Sequence, residues 1–113
     1  MASSYEICID QGTDVTIPFE LYDAEDKPLD LAGYKARMQV RQSAGSLTVI
    51  DELTTENGRL FISGGTITAK WPNAKTTALK AGRYVYDIEI VSADDEVSRI
   101  LEGDFVLRRE VTR

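Results

Sequence analysis

Apolar side chains in this sequence recur at every second residue rather than every third or fourth. Val15, Ile17, Phe19 and Leu21 alternate with Thr16, Pro18, Glu20 and Tyr22. Tyr34, Ala36, Met38 and Val40 alternate with Lys35, Arg37, Gln39 and Arg41, and Tyr84, Tyr86, Ile88 and Ile90 with Val85, Asp87, Glu89 and Val91. Successive side chains of a strand point to opposite faces, so each stretch describes a strand with one buried and one wet face. The second carries a basic outer face and the third a partly acidic one. Pro18 has no N–H to donate, which predicts a sheet edge or a bulge for the first strand.

Turn chemistry cuts the remainder into short strands. Residues 23–28 form a polar connection closed by Pro28, and residues 42–46 form a small-residue turn before a strand near 47–53. Asn57-Gly58 suits a tight turn, and Gly64-Gly65 suits a two-residue hairpin joining 60–63 to 66–71. Pro72 stops that ladder, and residues 73–79 read as a single helical turn capped by Asn73. Asp94-Asp95-Glu96 separates the third alternating strand from one at 97–101. Alternation then continues through Phe105 and Leu107 after a phase slip at Glu102-Gly103, which reads as a β-bulge. With a first strand at 5–9, about eight short strands at spacings of roughly 8–12 residues predict an all-β, antiparallel sandwich or small barrel. It occupies residues 1–113 as a single domain, with at most one short helical turn.

Composition narrows the chemistry. A chain of 113 residues has room for one core. Its 13 basic and 19 acidic side chains leave a net charge of −6, which repels a phosphate backbone. There is no histidine, and Cys8 is the only cysteine, so His-dependent triads, an intrachain disulfide and the usual Cys/His zinc sites are excluded. Carboxylate pairs remain for acid–base work, but no signature sets two of them across a sugar-sized cleft. Asp10-Gln11-Gly12-Thr13-Asp14 places two carboxylates around a glycine without the ligand spacing of a calcium loop, and reads as a turn. Cys8 has no basic neighbour in sequence to activate it and reads as a small apolar strand residue. The expectation is a non-enzymatic module without cofactors. The first residues show no basic-then-apolar leader and no apolar run approaches ~20 residues, so folding in a cytosol without membrane contact is expected.

Residues 79–86, Leu-Lys-Ala-Gly-Arg-Tyr-Val-Tyr, resemble the tyrosine corner of immunoglobulin-like sandwiches, in which a tyrosine hydroxyl returns to the backbone at a strand corner. Gly82 and Tyr84 take the two roles; an ordinary strand start at Gly82 fits the same residues. Tyr86 stands where antibody domains have their second cysteine, and Trp71 is out of order for their core tryptophan. Gly64, Gly65 and Trp71 are read, with Gly82 and Tyr84, as structural residues.

Residues 30–41, Asp-Leu-Ala-Gly-Tyr-Lys-Ala-Arg-Met-Gln-Val-Arg, resemble the D-L-(T/A)-G-(Y/A)-x-A-(R/K)-M-Q-(V/I)-R core of small tailed-bacteriophage virion proteins. Residues 10–23, 57–60, 81–89 and 106–113 resemble the same group in the same order. The nearest named relative is the N-terminal domain of baseplate upper proteins, an immunoglobulin-like β-sandwich that attaches receptor-binding parts to a phage tail. The resemblance implies a structural virion protein at tail or baseplate, made in the host cytoplasm and docking other virion proteins in multiple symmetric copies. It brings no catalytic residues. Mobile termini and loops carry recognition on rigid sandwiches. Candidate contact elements are therefore the segment 1–6 with Tyr5 and Glu6, the loop 23–29 with Asp23, Asp26 and Lys27, and the tail 108–113 with Arg108, Arg109 and Arg113. The tail continues a strand pattern and is expected to dock on a partner's sheet edge. A capsid decoration or head-to-tail completion protein fits equally well. A carbohydrate-binding host-recognition module is the rival of another class, and would need exposed aromatics such as Tyr22 or Trp71.

Overall fold

In the computed structural model, which describes residues 3–111, the alternating segments pair into two sheets packed face to face. The strands are β1 (Ser3–Ser4), β2 (Ile7–Asp10), β3 (Val15–Glu20), β4 (Lys35–Arg41), β5 (Val49–Thr54), β6 (Leu60–Ser63), β7 (Thr66–Trp71), β8 (Gly82–Val91) and β9 (Val97–Arg108), with one helical turn, α1 (Asn73–Ala78). The larger sheet runs β1-β9-β8-β4-β5, with β2 also on β9; the smaller runs β3-β7-β6. All-β architecture follows from the period-two pattern, and of the two arrangements that bury one face of every such strand, a closed barrel or two packed sheets, the chain adopts the second.

The inward phases are those the alternation gives. Ala36, Met38 and Val40 of β4 and Tyr84, Tyr86, Ile88 and Ile90 of β8 face Ile67, Ala69 and Trp71 of the smaller sheet in a single core cluster. Trp71 is fully buried, with its ring centroid 5.7 Å from that of Phe105, and Tyr84 meets the same phenylalanine edge-on at 6.3 Å. Burying an indole contributes about 1.5–3 kcal/mol or more. Trp71 is thus structural, and its exposure as an aromatic platform is excluded.

Pro18 lies on an edge strand as expected. The Leu21 N–H bonds to the Gly65 carbonyl at 2.9 Å, and ladder alternation then turns the backbone groups of Thr16, Pro18 and Glu20 away from β7. The missing N–H falls on the unpaired side and costs no ladder bond. Gly64-Gly65 forms the expected hairpin turn, with Gly64 at φ 59°. Gly65 has a second reason to lack a side chain, because a Cβ there would sit 2.8 Å from the Leu29 carbonyl oxygen.

Four local expectations are corrected. The N-terminal strand pairs with β9 in parallel, while every other ladder is antiparallel. Its register is continuous (Ser3 to Leu101, Ile7 to Phe105), so β1 and β2 are one line of chain along one edge. The slip in β9 falls at Ile100, between the pairs Glu89–Arg99 and Ile88–Leu101, and not at Glu102-Gly103. Gly103 serves a different need: a Cβ there would lie 2.3 Å from the Tyr5 carbonyl oxygen, so glycine admits the N-terminal strand. Asn73 is the first residue of α1 rather than its cap. Pro72 holds the cap position, and the Asn73 N–H is taken by Asp14 Oδ1 at 2.6 Å. Finally, Cys8 lies in a strand but faces outward.

Candidate docking interface

The 10–14 loop is a clamp on α1. Gln11 Nε2 donates to the Leu79 carbonyl at 3.0 Å, and the Gly12 N–H donates to Thr76 Oγ1 at 3.0 Å. The Thr76 hydroxyl in turn donates to the Thr13 carbonyl at 2.8 Å. The corner beyond α1 is closed by Tyr84, whose hydroxyl donates to the Lys80 carbonyl, two residues after Gly82 opens β8. That is the tyrosine-corner geometry. Tyr86 donates to the Tyr5 carbonyl at 2.5 Å; burial, and then Tyr5, push its hydroxyl pKa up.

The candidate contact residues divide between two ends. Tyr5 and Glu6 are exposed on the N-terminal line, and Arg108 closes β9 beside it with a 2.7 Å ion pair to Asp10. Arg109 is exposed just beyond, and Arg113 lies outside the described residues. The 23–29 loop sits by the Gly64-Gly65 turn, at the opposite end of β7 from Trp71 and α1. Asp23 organises this loop, its Oδ1 accepting the Glu25 and Lys27 N–H groups, while Asp26 takes φ 62°. Lys27 stays exposed, 3.8 Å from Glu25. The tail expectation changes: β9 has β2 on one side and β8 on the other, so through Arg108 it is an interior strand. The free edge there belongs to the N-terminal line.

The outer face of the larger sheet is a shallow concavity of about 670 Å³. Arg37 pairs with Glu89 at 2.8 Å, Arg99 with Asp87 at 3.3 Å, and Arg83 with Asp104 at 3.4 Å. Adjacent basic and acidic strands thus neutralise each other across the ladder. Burial and Glu89 push the Asp87 carboxyl up; Arg99 opposes them.

An ion pair absent from the sequence reading closes the side of the sandwich. Asp51, on the inward phase of β5, accepts from both terminal guanidinium nitrogens of Arg59, Nη1 at 2.7 Å and Nη2 at 2.8 Å. Both side chains are largely buried. The signal was present: Asp51 occupies a core-facing position two residues before Leu53, and an acid there requires a cation.

The same residues cap the edge of β5. The Thr55 N–H bonds to the Ala36 carbonyl, so the backbone groups of Glu52 and Thr54 face away from β4. The Thr54 N–H meets Asn57 Oδ1 at 3.0 Å, and the Glu52 N–H meets Asp51 Oδ1 at 3.0 Å. The Glu52 carbonyl accepts from Asn57 Nδ2 at 3.1 Å and from Arg59 Nη1 at 3.3 Å. This edge is occupied by its own side chains. On β6 the Lys70 N–H bonds to the Arg59 carbonyl at 2.9 Å, which turns the backbone of Leu60 and Ile62 away from β7. Between them Phe61 is 60% exposed.

No family model matches the chain, and no curated protein matches it. Twenty-three chains of solved structures do. One belongs to a crystal structure of ICOS in complex with ICOS-L and an anti-ICOS-L VNAR domain. It aligns at TM-score 0.50 and 14% identity over 96% of this chain and 56% of the other. The chain therefore spans a little over half of that neighbour's length. The likeness is one of fold: this protein is an immunoglobulin-like β-sandwich.

Proposed function

We propose that this protein is a non-enzymatic structural component of a tailed-bacteriophage virion, at the tail or baseplate. It is made in the host cytoplasm and docks other virion proteins through loops, termini and sheet edges in repeated symmetric copies. The observation that carries this reading is where the phage-like segments fall. Residues 30–41 lead into and form β4, 81–89 form the first part of β8 beside it, and 106–108 complete β9 beside β8. These three segments, far apart in sequence, thus resemble one group and lie side by side in the larger sheet, while 10–23 contains β3 and 57–60 leads into β6 of the smaller one. Repetition in a symmetric particle turns modest contacts into firm attachment.

Location of the protein in purified particles by antibody-labelled electron microscopy tests the reading. Label at the tail tip supports it. Label on the capsid surface replaces it with the decoration alternative, and absence from particles overturns both. Against the glycan-binding rival, the isolated protein is expected not to bind cell-envelope glycans. Saturable binding abolished by Tyr22→Ala, at an aromatic 53% exposed, would overturn the structural assignment.

A further inference from the structure

Charge is spread unevenly along the sandwich. β9, at 12 residues, is about 40 Å long, and the molecule extends 44 Å along its longest axis, so the strands run from end to end. At one end the Leu21 N–H bonds to the Gly65 carbonyl, residues 30–34 line a recess with Gly64, and Lys35 pairs with Val91 just before the 92–96 turn. Residues 20–35 carry five acids and two lysines, and residues 92–96 carry three acids. That end therefore holds −6, equal to the net charge of the whole chain. The other end gathers the 10–14 loop, α1, the start of β8 and the close of β9. There residues 70–83 carry Lys70, Lys75, Lys80 and Arg83 and no acid. The three lysines are exposed and form no ion pair among the described residues. Residues 104–110 hold two acids and two arginines, while Asp10 and Asp14 are engaged by Arg108 and the Asn73 N–H. With Arg41, at the close of β4 beside Val85, this end is basic by three charges.

We infer that copies of this chain stack head to tail, the acidic end of one, residues 20–35 and 92–96, seated on the basic end of the next, residues 70–83. The occupant is a second copy because one molecule carries both halves of the match: opposite charge, on ends of the same 28 × 25 Å cross-section. The overall charge of −6 does not prevent this contact. Stacked copies have their centres about 44 Å apart, roughly five Debye lengths of ~8 Å at physiological salt, whereas the facing ends lie within one. Each end also exposes an apolar side chain to the contact, Tyr22 at the acidic end and Leu47, 94% exposed, in the 42–48 turn at the basic end. Complementary charge selects which ends meet and speeds encounter more than it tightens binding, so the contact is weak and concentration-dependent. It is also heterologous. Each added copy leaves one acidic and one basic end free, so growth passes two copies and yields a ring or a filament. The inference does not depend on the virion assignment.

Variants blocked at one end test it. Glu25→Lys with Asp94→Lys and Glu96→Lys neutralises the acidic end, and Lys75→Glu with Lys80→Glu turns the basic end acidic; all five side chains are exposed. In sedimentation at up to about 1 mM protein and about 0.1 M salt, the mass of the unmodified protein is expected to rise past two copies. It should return to one copy in about 1 M salt, where the Debye length is about 3 Å. Each variant should stay at one copy. Their equimolar mixture should form a species of two copies and no more, because it rebuilds a single native contact between the intact acidic end of one variant and the intact basic end of the other. Unmodified protein that stays at one copy, or that stops at two, overturns the inference, and so does a mixture of folded variants that stays at one. Single-copy protein that binds polylysine, with binding lost in the acidic-end variant, would give that end to a foreign basic partner and overturn it as well. The mass of the unmodified protein decides the matter even where a variant fails to fold.

Discussion

β5 and β6 lie on the same side of the sandwich, one at the margin of each sheet, and they treat their exposed backbone in opposite ways. The outward groups of β5 at Glu52 and Thr54 are bonded to Asp51, Asn57 and Arg59. Those of β6 at Leu60 and Ile62 take no side-chain cap among the described residues; Leu60 is instead buried, at 2% exposure, while Phe61 between them is exposed. One connection, residues 55–59, supplies two of the three capping side chains for the first edge and none for the second. An edge is therefore protected either by the side chains that the adjoining turn carries, as at β5, or by burial of the strand itself, as at Leu60.

The largest effect is expected from breaking the buried pair. Arg59→Ala leaves Asp51 charged and without its cation, and should lower stability by about 3–5 kcal/mol, read as a fall in the urea midpoint. The double substitution Asp51→Leu with Arg59→Met should recover most of that loss, since apolar replacements remove both desolvation penalties. An unrecovered double variant would mean that the capping bonds to β5, rather than the buried charge, dominate.

Asn57→Ala isolates the cap. It removes the bonds to Thr54 and Glu52 and should cost about 1 kcal/mol, because water can replace the lost partners at this exposed site. The variant should also self-associate more than the parent in light scattering, since outward backbone groups of β5 are then uncapped. Phe61→Lys should change the urea midpoint by no more than about 0.5 kcal/mol, since it alters an exposed outer face.

The smallest effect belongs to the charged face of the larger sheet. Asp87 has a folded pKa raised above its ordinary 3.8, chiefly by burial and Glu89. The folded state then holds the proton more tightly than the unfolded one, so this group's contribution falls as pH rises from 3.8 through the raised value and is level above it. The difference in urea midpoint between the parent and Asp87→Asn should therefore move against the parent over that window. The change should be modest, because the side chain is 37% exposed and screened. A difference independent of pH would contradict the shift.

Much of the sandwich was legible because strand faces obey a period of two: β3, β4 and β8 lie where the alternation puts them, and Tyr84 closes its corner as its spacing from Gly82 implies. What the sequence hid was non-local. Nothing around residues 3–10 reveals that their partner lies some 98 positions away and runs parallel. Gly103 looked like a bulge because its true reason, the Tyr5 backbone, comes from that distant segment. The candidate contact elements were legible as exposed, charged positions. Their grouping was not, since the 23–29 loop and Arg108 fall at opposite ends. The edge chemistry could be read only once the ladder phase was known, because that phase decides which backbone groups of 52, 54, 60 and 62 face outward.

Residue-resolved amide hydrogen exchange on the dilute protein tests the contrast between the two edges most directly. The Glu52 and Thr54 amides, bonded to Asp51 and Asn57, should exchange slowly, as should that of buried Leu60, while the uncapped amide of half-buried Ile62 should exchange faster than all three. Protection of Ile62 equal to that of Glu52 and Thr54 would contradict it.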